Sequence, residues 1–153
     1  MPVIKLHRCS MTKPECALDL FSKQHNCAQA ILAAYGPAEG LDEQHGLKLA
    51  APFGGGIGRL GETCGVVSGA LMVLGLRYTA PNSPDAAAKA ALYERVRDFV
   101  ARFKARNPSI LCRELLGCDI STPEGAQLAQ DRKLHQTLCV KYVRDAAEIL
   151  EQV

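Results

Sequence analysis

The chain has no tryptophan, and aromatic residues make up only 5% of its 153 residues. That is poor material for stacking nucleic-acid bases. It also lacks an excess of charge: the formal net charge is +2 at pH 7. A broad basic footprint for nucleic acid or an anionic membrane surface is thereby excluded. No apolar run approaches the roughly 20 residues that span a bilayer. The longest, Gly65 to Leu76, suits a buried helix. The opening MPVIKLHRCSM has no signal-peptide core, so the reading is a cytoplasmic protein without membrane insertion. No window alternates long enough to be a strand, and neither an internal repeat nor a low-complexity tract is present. No cysteine pair is spaced C-x-x-C, which removes zinc ribbons, thioredoxin motifs and ferredoxin runs.

What is present is cysteine. There are seven: Cys9, Cys16, Cys27, Cys64, Cys112, Cys118 and Cys139. An odd count without a secretion signal argues against a disulfide framework. Thiols in a reducing compartment imply redox or metal chemistry, or inert packing. Any shared site has to be assembled by the fold from distant segments.

The stretch Phe53–Gly75 organises the rest. Its glycine-rich first part cannot be a helix interior, because each Gly costs about 1 kcal/mol relative to Ala. Its second part, Glu62 to Tyr78, reads as a helix with Val66, Val67, Leu71, Met72, Val73, Leu74 and Leu76 on most faces, so other helices must surround it. Gly65, Ser68, Gly69 and Met72 share one side and admit a close neighbour. With Gly61 as cap, Cys64 falls in the first turn, where the helix dipole favours a thiolate. On that basis Cys64 is the expected activated thiol.

Elsewhere, Thr12 and Glu15 form a capping box for a helix running to about Tyr35, with Leu18, Phe21, Ala28, Ile31, Leu32 and Tyr35 on its core face. Cys16 and Cys27 lie roughly 16 Å apart along it, too far to act as a pair. Asp42 caps a short helix from Glu43 to about Ala51. Ser83-Pro84-Asp85 starts a longer one to about Arg106, with Leu92, Val96, Phe99 and Phe103 in one stripe. Ser109 caps a short helix carrying Cys112 and closed by Gly117, with Cys118 in the loop beyond. Another segment runs from Pro123 to about Lys133. The last helix, about Gln136 to Glu151, buries Leu138, Tyr142, Ala146 and Ile149 and carries Cys139 in its first turns. The expected architecture is one all-α domain over residues 1–153, a bundle of about five or six helices around a buried central helix, with residues 1–11 loosely attached. The apolar surplus on the central helix is compatible with a homodimer.

Four blocks carry a resemblance: Asn26-Cys27-Ala28-Gln29-Ala30; Phe53-Gly54-Gly55-Gly56-Ile57-Gly58; Cys64-Gly65-Val66-Val67-Ser68-Gly69-Ala70-Leu71; and Cys112-Arg113-Glu114-Leu115-Leu116-Gly117, followed by the late Cys139. In order and context the chain resembles the C-GCAxxG-C-C family of redox-active proteins over nearly all its length. The four cysteines of that pattern map to Cys27, Cys64, Cys112 and Cys139, and Val66 stands where the motif has alanine. The resemblance implies a helical fold and a redox or metal-linked role, with an iron–sulfur cluster as one form of it.

The functional reading gathers Cys27, Cys64, Cys112 and Cys139, with Cys118 as a fifth candidate, at one pocket. Four thiolates suit an iron–sulfur cluster or zinc, and two suit a reversible disulfide with no cofactor. Cys64 and Cys27 are the reactive candidates. Gly56, Gly58, Arg59 and Gly65 are the candidates for holding a cofactor, anion or substrate oxygen beside Cys64, through exposed N–H groups and the guanidinium. Gly56-x-Gly58-x-x-Gly61 matches a dinucleotide fingerprint in letters only, since no strand precedes it. His135 lies four before Cys139, a ligand spacing on a helix, and His25 and Arg113 lie near other cysteines. The leading expectation is metal-linked electron transfer with an unidentified redox partner. A metal-free thiol–disulfide protein is the alternative, and a helical interaction module with inert thiols is a third reading.

Overall fold

The structure is a computed structural model that describes residues 10–80 and 85–153. Cys9, most of the segment expected to be loosely attached, and the Ser83-Pro84 helix start lie outside the described residues.

The all-α expectation holds. Helix α1 (Lys13–Ser22) opens with the capping box: the Glu15 N–H donates to the Thr12 hydroxyl, and the Thr12 N–H donates to the Glu15 carboxylate. It does not run to Tyr35. Gln24 turns left-handed at φ 69 and breaks it. A second capping box then restarts the chain as α2 (Cys27–Tyr35): the Gln29 N–H donates to Asn26 Oδ1 at 2.9 Å, and the Asn26 N–H donates to Gln29 Oε1 at 3.0 Å. Cys27 thereby becomes the first residue of a helix rather than an interior one.

Asp42 caps α3 (Glu43–Ala50). The central helix α4 (Gly65–Tyr78) begins later than expected, with Cys64 as its cap residue. Asp85 caps α5 (Ala86–Arg106) by accepting the Ala87 N–H. Helix α6 (Cys112–Leu116) ends at left-handed Gly117, and Thr122 caps α7 (Pro123–Asp131). A single π turn, His135–Cys139, leads into α8 (Val140–Leu150). Among the described residues there is no strand, only one antiparallel bridge between Thr63 and Leu111. No helix among them is long and apolar enough to cross a membrane.

Helices α2 and α4 form the centre. Around them pack α1, α3, α5 and α8. Val66, Val67, Val73 and Leu74 of α4 are fully buried with Ile31 and Leu32 of α2, Phe99 and Phe103 of α5, and Ile149 and Leu150 of α8. Leu92 and Val96 join this core only partly, and Leu76, expected inside, is 40% exposed. Tyr35 is fully buried, its hydroxyl 2.8 Å from the Ala147 carbonyl oxygen and 2.8 Å from a Glu151 carboxylate oxygen, which ties α2 to α8.

The contact between α2 and α4 sets the site. A Cβ added at Gly65 would lie 3.0 Å from both the Ala28 nitrogen and Cys27 Sγ. One at Gly69 would lie 2.9 Å from the Ala28 carbonyl oxygen and 3.1 Å from Ile31 Cβ. Ascending α4 therefore matches ascending α2. The two helices run parallel, with their N-termini side by side, and glycine is what permits the approach. Gly69→Ala replaces a poor helix former with the best one, which alone favours folding by about 1 kcal/mol. The clash with backbone outweighs it, and the variant is expected to lose about 1–3 kcal/mol. A urea midpoint equal to or above that of the unaltered protein would contradict this packing.

Candidate functional site

Two parallel helices with adjacent N-termini bring two positive dipole ends together. The unpaired N–H groups there favour a negative charge. The sequence puts a cysteine at both ends: Cys27 opens α2 and Cys64 caps α4.

These two thiols are hydrogen-bonded to each other. Cys64 donates to Cys27, and this is the largest influence lowering the Cys27 pKa from 9.0 to about 7. Burial opposes the shift, and the N–H groups of Gly55, Cys27 and Ala28 reinforce it. Cys64 moves the other way, well above its ordinary value, because it holds the shared proton, is buried and faces the Cys27 charge. In this pair the negative charge is favoured on Cys27 and the proton on Cys64, whereas the sequence reading put the activation on Cys64. Removing that donor by Cys64→Ala should raise the Cys27 pKa, so that alkylation at pH 7 slows roughly five- to tenfold. A Cys27 thiolate titration, followed by ultraviolet absorbance, that does not move in this variant would rule the assignment out.

The glycine loop supports the pair from the side. Gly55, Gly56, Ile57, Gly58 and Arg59 all have φ between 54 and 69, so the chain makes a left-handed turn. It is closed by Gly58 N–H to Pro52 O at 2.8 Å, Arg59 N–H to Gly54 O at 3.1 Å and Glu62 N–H to Gly56 O at 2.9 Å. Ile57 is β-branched and Arg59 long, and each pays about 1–2 kcal/mol for this conformation. Such strain concentrates at functional sites. At Gly56 a Cβ would come within 2.7 Å of Cys112 Cβ. That glycine exists to bring the loop against a cysteine, not to cradle a diphosphate. The residues before the loop are a short 3₁₀ turn, Ala51–Phe53, which agrees with the rejection of a dinucleotide fold.

Cys112 is delivered by the Thr63–Leu111 bridge. The Cys64 N–H donates to Ile110 O and the Cys112 N–H to Glu62 O, both at 2.7 Å. In this register Cys64 and Cys112 are diagonal neighbours across the bridge. Burial, then the charges of Cys27 and Cys118, push the Cys112 thiol up to about 12. Cys139, at the end of the π turn, is also pushed up to about 12, by burial and then by Cys27 and Cys112.

Cys27, Cys64, Cys112 and Cys139 all line one cavity of about 830 Å³. Gly58, Arg59 and His135 line it too. Gly56 and Gly65 stand behind the wall, as spacers for Cys112 and Cys27. Cys118 does not line it and is half-buried in the loop after α6. Cys16 lies on α1, its thiol directed to the Met11 carbonyl oxygen at 3.9 Å. Arg113 is committed elsewhere: it donates to Gly61 O at 3.0 Å and pairs with Glu62. His135 packs against Phe21 with the rings tilted at 34° and centroids 4.4 Å apart, and its pKa is lowered by burial and by Arg59. Tyr142 closes the inner wall by donating to Leu115 O at 2.7 Å.

The donor set does not fit a metal as it stands. Among the described residues no group of three or more His, Cys, Asp or Glu side chains is arranged to hold an ion. Cys27 and Cys64 satisfy each other, while Cys112 is a diagonal away. Asn26 is the residue that sequence reasoning undervalued. Its side chain starts α2 at Cys27 and donates to Ala51 O at 2.9 Å, fixing the glycine loop beside the thiolate. The N-x-x-Q capping pattern was its signal.

A family model described as "Putative redox-active protein (C_GCAxxG_C_C)" matches residues 25–153, which contain every cavity residue named above. No curated protein and no solved structure matches the chain.

Proposed function

Since this chain belongs to the C_GCAxxG_C_C family, we propose that it works as a dithiol–disulfide protein whose reactive pair is Cys27 and Cys64. The observation that carries this is the hydrogen-bonded pair itself, set where two helix N-termini meet. Its division of labour suits thiol–disulfide exchange. Cys27 is the nucleophile, about half ionised near neutral pH, and Cys64 keeps a proton until a leaving thiolate needs it. Closing the pair forms one S–S bond and delivers two electrons to an acceptor disulfide, which leaves as two thiols or thiolates. Neither step needs a metal or a second protein chain.

The iron–sulfur or zinc reading draws on a different observation, the convergence of four cysteines on one cavity. It requires Cys112 and Cys139 to approach the other two. One experiment separates the readings: anaerobic purification, metal analysis with an optical spectrum, then diamide oxidation and peptide mapping. The dithiol reading expects no stoichiometric metal and a single Cys27–Cys64 linkage that dithiothreitol reverses. Stoichiometric iron with visible charge-transfer bands would replace it with the metal reading. Thiols that resist diamide in the native state would leave only a packing role for the cysteines.

A further inference from the structure

The cavity in front of the pair has a composition that the exchange chemistry alone does not require. Cys27 is 9% exposed and Cys64 6%. A disulfide on the surface of a folded protein cannot reach a nucleophile recessed this far, whereas a molecule that enters the cavity can. At about 830 Å³ the space is of the size that encloses small organic ligands. Its outer wall, from α6, α7 and the loop between them, is mainly apolar, with Leu116, Ile120, Pro123, Ala126 and Ala129, and adds two uncharged polar side chains, Gln127 and Gln130. Among the described residues lining it, Arg59 is the one with a fixed charge, and no Asp, Glu or Lys joins it. Arg59 has no carboxylate partner among the described residues, although Glu62 lies three residues away and is taken by Arg113. Arg59 ends the left-handed turn as an exposed side chain at the cavity's edge, and its charge reaches His135 on the same lining.

We infer that the cavity takes a low-molecular-weight organic disulfide with an apolar body and a carboxylate or similar anionic group, which Arg59 orients toward Cys27. This rests on the dithiol reading above and names its substrate class. The exchange balances within the site. The Cys27 thiolate attacks one sulfur of R–S–S–R′; the mixed disulfide Cys27–S–S–R forms, the S–S bond of the substrate breaks, and R′–S⁻ leaves with the Cys64 proton as R′–SH. Cys64, now a thiolate, attacks the Cys27 sulfur; the Cys27–Cys64 bond forms and R–S⁻ leaves. The substrate disulfide is reduced by two electrons and the protein dithiol is oxidised by two. The net charge is unchanged.

The test uses the reduced full-length chain and two aromatic probes: dithiobis(nitrobenzoate), with a carboxylate on each ring, and dithiodipyridine, which has none. Closure of Cys27–Cys64 is followed by peptide mapping, so reaction at Cys16 or Cys118 is not counted. Arg59→Gln should slow closure by the anionic probe about tenfold and leave the neutral probe within about twofold. Arg59→Lys, which keeps the charge, should recover most of the rate. Cys64→Ser should trap a nitrobenzoate adduct on Cys27. An Arg59→Gln effect equal for both probes, or absent for both, overturns the proposal. So does oxidation of the pair by a folded protein disulfide faster than by either probe. Diamide tells the two levels apart. If it closes the pair and the small disulfides do not, the substrate class falls and the dithiol reading stands. If diamide fails as well, both fall.

Discussion

Cys27→Ser should abolish reversible oxidation of the cavity. The unaltered protein treated with diamide should lose two thiols in one linkage; this variant should lose none there. The reason is that the lowered pKa belongs to one position. At about 7, half of Cys27 is thiolate near neutral pH, whereas an ordinary thiol at 9.0 is about one per cent ionised. Cys64 cannot substitute: the hydrogen bond to Cys27 that most raises its pKa goes with the substitution, but burial still holds the thiol above its ordinary value, and no partner sulfur remains beside it. Cys16→Ser, on α1 away from the cavity, should behave as the unaltered chain does. Cys112→Ser and Cys139→Ser discriminate between readings. If the pair acts alone, both retain the linkage; if a four-thiolate centre operates, each should fail as completely as Cys27→Ser. Formation of a reversible linkage at Cys64 in Cys27→Ser, at the unaltered rate, would contradict the assignment.

The second large effect is on stability at alkaline pH, and its sign follows from the same thiols. Cys112 and Cys139 sit at about 12 when folded against an ordinary 9.0. Their folded pKa values are raised, so above pH 9 the unfolded chain releases these protons first. Their contribution is fully present below pH 9 and is lost as pH rises toward 12. Each costs about 1.4 kcal/mol per pH unit in that window, so together about 3 kcal/mol per unit. Cys64, also raised, adds to the decline. Cys27 is depressed and acts in the opposite direction: its contribution is present above pH 9 and is lost as pH falls through about 7. Stability should therefore climb from pH 7 to about 9 and then collapse. With a total of about 5–15 kcal/mol for a domain of this kind, the fold should fail before pH 12. Urea midpoints measured against pH would show the maximum. In Cys27→Ser the climb should vanish while the alkaline loss persists. A profile flat from pH 7 to 11 would mean that these thiols do not sit as described.

Much of this was legible in the residues, for identifiable reasons. The apolar, small-residue run after Cys64 could only be an enclosed helix, and Gly65 and Gly69 on one side announced a close neighbour. The left-handed turn could not be foreseen, because Ile57 and Arg59 are residues that local preference keeps out of that conformation. Only the surrounding packing puts them there. The break between α1 and α2 was written in the sequence as Asn26-Cys27-Ala28-Gln29, but a continuous apolar stripe from Leu18 to Tyr35 masked it. That boundary turns Cys27 from a helix-interior residue into a helix-opening one and so adds the Cys27 and Ala28 N–H groups to the influences that lower its pKa. The diagonal relation of Cys64 to Cys112 depends on one isolated bridge, and one bridge leaves no alternation to read.

The parallel docking of α2 on α4 has a consequence during synthesis of the chain. In the nascent polypeptide Cys27 is an ordinary thiol, far from the donor that later polarises it. Its nucleophilicity appears only when the two helices have docked and the glycine loop has closed beside them. A cysteine-rich polypeptide leaving the ribosome therefore stays chemically quiet near neutrality, with little tendency to scramble its sulfurs.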